Sequence, residues 1–164
     1  MIRILLILAI IMVRIFVGLP DFIMDKSVAA ALSYPLFHAN WFHLAVNALA
    51  IWLMFPPRRK GLWRDLAIGY AISCLVFPLS FRPVVGISNL LYAVIGLRTP
   101  AFSSPWWKKP EVIIFFVVTF AMLPFPQISA ITHILSLAMG IAIASLCRSI
   151  KKVTEDARKS IGRR

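Results

Sequence analysis

Apolar residues along this chain fall into six runs, separated by short segments that carry proline, glycine or charge. Most runs approach the length of about 17 to 25 residues that an α-helix needs to cross a bilayer, and the fourth run is shorter. The pattern predicts an all-α membrane protein with six transmembrane helices, in which a short central helix 4 is packed among the others. The predicted spans cover residues 2–19, 40–55, 62–79, 84–97, 112–127 and 128–147.

The composition agrees with a membrane protein. Hydrophobic residues make up 60% of the 164 and charged residues 15%, and the mean hydropathy is +0.86. A soluble core of this size could not bury so much apolar surface. The first run is taken as helix 1 and not as a signal peptide, because Phe16-Val-Gly-Leu-Pro20 is a poor cleavage site. We expect one membrane domain at 1–150 and a basic cytoplasmic tail at 151–164.

Basic residues are distributed unevenly between the two sides that the six spans define. The net charge is +12, and fifteen of the eighteen Lys and Arg fall on the side of the two termini. Cytoplasmic loops carry such an excess, so both termini are predicted to be cytoplasmic. Only Lys26 and Arg82 lie on the other side, with Arg14 inside helix 1 near its outer end. Topology accounts for the charge, and we expect no nucleic-acid partner.

Two polar side chains in span 2 share one face. His43 and Asn47 are four residues apart, so on a helix they project together as hydrogen-bond donors aimed at one point. Ionisable groups in a lipid-spanning helix are expensive and usually face a functional interior. His38, five residues before His43, would be rotated from it by roughly 140° on the same helix, which is a poor arrangement for a metal. Because Cys74 and Cys147 show no ligand spacing either, we expect no metal and no cofactor.

Ser88 is the strongest candidate for a reactive group. A helix from Ser88 to Leu97 rises only about 15 Å, half of the hydrocarbon thickness, so Gly86 and Ser88 are expected at depth. Irregular backbone is tolerated there only beside a protein-lined, wet cavity. Gly86 permits close backbone approach, and free N–H groups at the amino end of a helix favour a developing anion. The common alternative is a serine that merely bonds to a backbone carbonyl.

His133 is the one remaining histidine, and it lies on another predicted helix. A serine hydroxyl needs a base to take its proton, which makes His133 the candidate base. Ser136 and Gly140, four residues apart, predict tight packing of helix 6 on helix 4. The alternative is that His133 is a hydrogen-bonded structural histidine. All six acidic residues fall in loops or at helix ends, so any catalytic set is predicted to be a Ser-His dyad.

Together these motifs resemble those of the rhomboid intramembrane serine proteases. The resemblance rests on His-x4-His-x3-Asn in span 2, Gly-x-Ser with a tyrosine four residues beyond the serine in span 4, and a histidine followed by small residues in span 6. It implies a six-helix rhomboid-like bundle that cleaves transmembrane or membrane-adjacent segments. The implied roles are Ser88 as nucleophile, His133 as general base, His43 and Asn47 as oxyanion-stabilising side chains together with the Ser88 N–H, Tyr92 as the ring packed on the imidazole, Gly86 as the loop glycine, and His38 as a support for loop geometry and the water-filled cavity.

The chain departs from this family pattern at two positions. Asn89 follows the serine where the family often has glycine, and Ser136 stands where glycine is common. Asn89 is expected either to crowd the substrate or to add a polar contact. The loop from Pro20 to Pro35 is short and lacks the Trp-Arg pair of many rhomboids, so substrate entry is expected to differ.

The function predicted from these residues is an intramembrane serine endopeptidase acting on transmembrane proteins in the lipid bilayer. Two other classes stay open: an inactive rhomboid-like protein that binds transmembrane clients, and a small transporter or channel that relays protons through buried histidines. Loss of the serine or histidine would indicate the first, and acidic residues or repeats at mid-membrane the second. The sequence has neither feature. We expect a monomer in a prokaryotic inner membrane.

Overall fold

The structure, a computed structural model, describes residues 2–18, 27–55, 61–80, 84–99, 110–122 and 129–161. Every regular element within these residues is a helix, as the all-α prediction requires. The α-helices among them are α1 (Ile2–Phe16), α2 (Val28–Ser33), α3 (Trp41–Met54), α4 (Leu62–Val76), α5 (Ser88–Arg98), α6 (Pro110–Met122) and α7 (Ala130–Ile161). Short 3-10 turns follow α2 at Tyr34–Leu36 and α4 at Phe77–Leu79.

Two helices in the described part of the chain are long and apolar enough to cross a membrane. They are Leu62–Leu79, which joins α4 to its 3-10 turn, and Ala130–Ser160 within α7. α3 is apolar but has 14 residues, and α5 has 11. A helix of 11 residues is only about 16 Å long, well short of the hydrocarbon thickness. The number of six membrane crossings therefore stays a prediction from the sequence.

The structure contains helix at two places where the sequence pattern had not assigned it. The segment from Pro20 to Pro35 was predicted to be a loop, but it contains α2, whose first turn is capped by Ser27 Oγ accepting from the Ala30 N–H at 3.1 Å. α7 continues past Cys147, the predicted end of span 6, to Ile161. Charged residues end a hydrophobic run without ending a helix, because Lys, Arg, Glu and Ala all favour helix.

α5 is buried along almost its whole length, and all of its residues except Leu97 are buried. It packs against α7 and α4. A Cβ atom added to Gly140 would lie 3.0 Å from the Gly96 Cα and would collide with the Ala93 carbonyl. On the other side, a Cβ on Gly69 would lie 2.9 Å from Val94. Glycines thus bring both neighbouring helices close to the α5 backbone.

A buried ion pair connects the carboxyl end of α5 to α4. Arg98 Nε donates to Asp65 Oδ2 at 2.9 Å, with side chains only 6% and 12% exposed. The exposed Arg64 side chain reaches Asp65 Oδ1 at 3.2 Å. Arg64 and Arg98 therefore lie at one end of the helices. The basic residues at 26, 58–60, 82, 108–109 and 163–164, also used to predict the topology, lie outside the described residues.

Candidate active site

Ser88 is the first residue of α5. The preceding residue, Ile87, offers no side-chain cap. The first N–H groups of a helix have no intrahelical partner, so the Ser88 hydroxyl lies beside free donors at the positive end of the helix macrodipole. Ser88 is itself buried, with 9% of its surface exposed. This position suits a group that must develop or meet negative charge.

The Ser88 hydroxyl is hydrogen-bonded to His133 on α7. Ser88 Oγ and His133 Nε2 are 2.9 Å apart in buried surroundings. When the hydroxyl donates and Nε2 accepts, the ring proton of the neutral imidazole sits on Nδ1. A histidine in this geometry can remove the serine proton as the oxygen attacks a carbonyl. The structure thus brings together the two residues that the sequence selected as nucleophile and base.

The His133 ring is packed against Tyr92. The two rings are stacked, with centroids 4.7 Å apart and 16° between their planes. Phe116 of α6 meets the Tyr92 ring edge-on at 5.1 Å between centroids. Aromatic packing of this kind restricts the rotation of the imidazole without any polar contact. A cavity of about 50 Å³ borders Tyr92, Phe116 and His133 and opens between α6 and α7.

Gly86 brings the turn before Ser88 against His43 and Asn47. Its φ of +108° favours glycine, and its N–H donates to the Tyr34 carbonyl at 3.2 Å. A Cβ on Gly86 would lie 2.7 Å from His43 Cε1 and 3.2 Å from Asn47 Nδ2. Both side chains are buried, and Asn47 Nδ2 has no hydrogen-bond partner within the described residues. A buried donor beside the Ser88 turn is available to an incoming oxygen.

His38 lies outside the helix on which its orientation was predicted. α3 begins at Trp41, after Asn40, whose side chain caps the helix by accepting from the His43 N–H at 2.8 Å. The expected rotation between His38 and His43 is therefore wrong. Their rings meet edge-on, with centroids 5.3 Å apart. His38 is fully buried, and its Nδ1 lies 3.3 Å from the Leu36 carbonyl.

Asn89 is engaged by the protein. Its Nδ2 donates to the Tyr34 hydroxyl at 3.0 Å, and that hydroxyl donates to the Ser73 carbonyl at 3.1 Å. The side chain is buried, with 2% of the residue exposed. Of the two expectations for Asn89, crowding of the substrate or an added polar contact, the structure shows a polar contact, which links the start of α5 to α4 and to the turn after α2.

The candidate site is built from residues of α3, α5 and α7 and of the turn before α5. Within the described residues, no three His, Cys, Asp or Glu side chains are grouped so as to hold a metal ion. The arrangement consists of a hydroxyl, an imidazole and nearby buried donors. It fits the attack of a serine on a carbonyl group.

Comparison with models of protein families matches residues 25–150 to the Rhomboid domain. The match covers most of the chain and includes all of the candidate site residues. The chain belongs to the rhomboid family. Comparisons with curated proteins and with solved structures gave no match.

Membership of the rhomboid family confirms the resemblance drawn from the motifs. Rhomboid proteins are integral membrane proteins that act on transmembrane substrates, and they are generally serine proteases. The protein is therefore an intramembrane protease or an inactive relative of one.

Sequence reasoning missed two residues that support this rhomboid site. Tyr34 accepts hydrogen bonds from the Gly86 N–H and the Asn89 side chain. The one local signal for its position is Pro35, which follows it in the 3-10 turn after α2. Phe116 packs on Tyr92, and no motif distinguishes it from the other phenylalanines.

Proposed function

We propose that this rhomboid protein is an active intramembrane serine endopeptidase, with Ser88 as the nucleophile and His133 as the general base. The observation that carries the proposal is the 2.9 Å separation of Ser88 Oγ and His133 Nε2 at the start of a buried helix. His133 takes the hydroxyl proton as Ser88 attacks the peptide carbonyl, and returns it to the leaving amine. Water, activated by the same imidazole, then hydrolyses the acyl-enzyme and frees Ser88.

His43, Asn47 and the Ser88 backbone N–H are proposed to stabilise the oxyanion of this reaction. The support is their convergence on the Gly86 turn, where a Cβ would touch both side chains. One well-placed donor in a dry site is typically worth about 10² to 10³ in rate. Tyr92 would hold the imidazole by stacking.

The other predicted positions are proposed to support this arrangement from outside the reacting atoms. His38 would hold His43 through the edge-on ring contact. Gly86 would leave room for the donors, and Asn89 would anchor the start of α5 through Tyr34. None of the three is proposed to touch the scissile bond.

The proposed substrates are single-pass membrane proteins cut in or beside their transmembrane helix. The support is the depth at which a helix as short as α5 carries Ser88. We propose that the protein works as a monomer in a prokaryotic inner membrane, with both termini cytoplasmic as the basic residues suggest. It would need no cofactor and no nucleic acid.

A serine-reactive fluorophosphonate tests this function without knowledge of a substrate. The purified protein in detergent is treated with the reagent and its intact mass is compared with those of Ser88→Ala and His133→Ala. Ser80→Ala, which removes another buried serine, the one that follows the Phe77–Leu79 turn, is the matched control. A single adduct that is absent only from the two dyad variants supports the proposal. If the folded protein forms no adduct, the client-binding function is favoured instead.

A further inference from the structure

Several buried polar atoms near the dyad lack a hydrogen-bond partner within the described residues, and three of them belong to the helices α5 and α7. These three are His133 Nδ1, Ser136 Oγ and Asn89 Oδ1. The exposed fractions of these residues are 5%, 0% and 2%. Because buried polar groups in folded proteins are nearly always paired, with protein or with ordered water, each of these atoms requires an explanation.

The packing of α5 on α7 sets which of these atoms face one another. Ser88 meets His133 near the start of each helix. Gly96 meets Gly140 near the end of α5 and further along α7. The two helices therefore run in the same direction, and their residues advance together along the interface.

Asn89 and Ser136 occupy equivalent places in this interface. The Ala93 carbonyl lies against the Cα of Gly140, where an added Cβ would collide with it. Asn89 is four residues before Ala93, and Ser136 is four residues before Gly140. Ser136 thus lies one helical turn before the Gly140 contact, on the face of α7 that meets the α5 backbone. Asn89 lies one turn before Ala93, whose side chain belongs to a cluster against which Leu135 and Met139 of α7 pack. The two residues therefore fall in the next layer of the interface towards the dyad.

The three atoms also complement one another as donors and acceptors. With Nε2 accepting from Ser88, His133 Nδ1 carries a proton to donate, the Ser136 hydroxyl can accept and donate, and Asn89 Oδ1 can only accept. Helical side chains lean towards the amino end, so Ser136 leans over the turn that carries His133. A helical serine often bonds to a preceding backbone carbonyl, and the Ser136 hydroxyl makes no such bond to a described residue.

We propose that Ser136 and Asn89 are positioning residues that replace the carboxylate of a Ser-His-Asp triad. The Ser136 hydroxyl links His133 Nδ1–H to Asn89 Oδ1 through ordered water, because none of the three atoms is bonded directly to another described residue. Asn89 Nδ2 continues the chain to the Tyr34 hydroxyl and the Ser73 carbonyl. This link would fix the orientation of the imidazole against the backbone of α4. The inference rests on the proposed protease function, and it concerns the two positions that depart from the glycines common in the family.

The state of the imidazole can be tested without any measurement of activity. The chain has three histidines, so ¹⁵N labelling of the histidine rings gives a simple NMR spectrum. The signals of His38 and His43 are identified by their loss in His38→Gln and His43→Gln. We expect a His133 Nδ1–H signal that is protected from exchange and is lost or shifted in Ser136→Ala. Ser145→Ala, at an exposed position of the same helix, should leave it unchanged. A signal that is identical in Ser136→Ala would overturn the inference.

The rate of fluorophosphonate labelling tests the functional consequence. We expect Ser136→Ala and Asn89→Ala each to lower the rate by about 10- to 100-fold, as misplacement of a reacting group does. The double variant should be no slower than the slower single variant, because either change breaks the same link. Ser136→Thr keeps the hydroxyl and should therefore retain most of the parent rate. Losses that multiply, or a rate that does not change, would overturn the inference. A parent protein that does not react at Ser88 would overturn the proposed function instead, and the NMR signal would still decide the link.

Discussion

Gly96 of α5 and Gly140 of α7 touch through their backbones. A Cβ added to either residue would lie 3.0 Å from the Cα of the other. The neighbouring atoms also belong to the backbone, so no flexible side chain can move aside. This contact therefore sets the separation of the two helices that carry Ser88 and His133.

We expect Gly140→Ala to force these helices apart and to slow labelling of Ser88 by at least about 10-fold. Overpacking of this kind costs about 1 to 3 kcal/mol of stability. The checks are the fluorophosphonate rate and the thermal unfolding midpoint in detergent. Ala138→Val, on the exposed face of α7, is the control and should change neither. A Gly140→Ala protein with the parent rate and midpoint would show that the contact does not set the dyad geometry.

Gly86→Ala is expected to abolish labelling. The new Cβ would lie 2.7 Å from the His43 ring, at a φ of +108° that L residues rarely adopt. Gly18→Ala is a matched control, because Gly18 also has a positive φ, +73°, but no atom of the described residues lies within 4 Å of its added Cβ. We therefore expect normal labelling from Gly18→Ala. Equal rates in the two variants would remove Gly86 from the site.

His43→Ala and Asn47→Ala are each expected to slow cleavage of a peptide bond by about 10² to 10³ without unfolding the protein. The reason is the loss of one donor to the oxyanion. Cleavage of a reporter substrate and circular dichroism are measured together. Leu49→Ala, at an exposed position of α3, should leave the rate intact. Parent rates in folded His43→Ala and Asn47→Ala proteins would exclude both side chains from the oxyanion role.

Asp65→Asn is expected to destabilise the protein by about 3 to 5 kcal/mol, because it removes the carboxylate that faces the buried Arg98 guanidinium. The combination Asp65→Leu with Arg98→Met should recover much of this loss, since no charge is then buried. Thermal unfolding in detergent measures both. Glu155→Gln breaks the exposed pair with Lys151 and should have no measurable effect. If Asp65→Asn were as mild as Glu155→Gln, the buried pair would contribute little to the fold.

Substrate selection is expected to depend on how easily the substrate helix unwinds. A peptide bond inside a helix cannot reach Ser88 unless the segment becomes extended. Replacing Gly, Pro or small polar residues near the outer end of a substrate's transmembrane helix by Leu should therefore slow its cleavage. Replacing residues at the other end of that helix serves as the control. Cleavage that is indifferent to both sets would show that selection does not act through unwinding.

The local part of the site could be predicted from the sequence. The spacing of His43 and Asn47 placed both on one helical face, and the small residues at Ser136 and Gly140 indicated the close packing of α7 on α5. Gly86 indicated a close approach of backbone, which the structure has against His43. These features depend on helical periodicity and on residue size, which are properties that a sequence contains.

Other features depend on tertiary packing and left no local signal. Asp65 and Arg98 are 33 residues apart, and nothing near either of them predicts their ion pair. The orientation of His38 was predicted as if the helix of His43 extended back to it, although the apolar span begins only at residue 40. The capping by Asn40 decides where that helix begins. The extent of α7 was missed because the apolar run, from which the span was predicted, ends at Cys147. The charged residues that follow still favour a helix.

α7 is one helix from Ala130 to Ile161, and no proline interrupts it. From His133 to Ile161 it rises about 42 Å, and the Gly96–Gly140 contact lies about 10 Å from His133 along the same axis. The contact with α5 therefore lies much closer to His133 than to the basic end of the helix. If α7 tilted by about 5° around the Gly96–Gly140 contact, the His133 imidazole would move by about 1 Å, and a displacement of this size can lower a reaction rate by about 10². The basic last turns of α7 and His133 therefore belong to one uninterrupted helix.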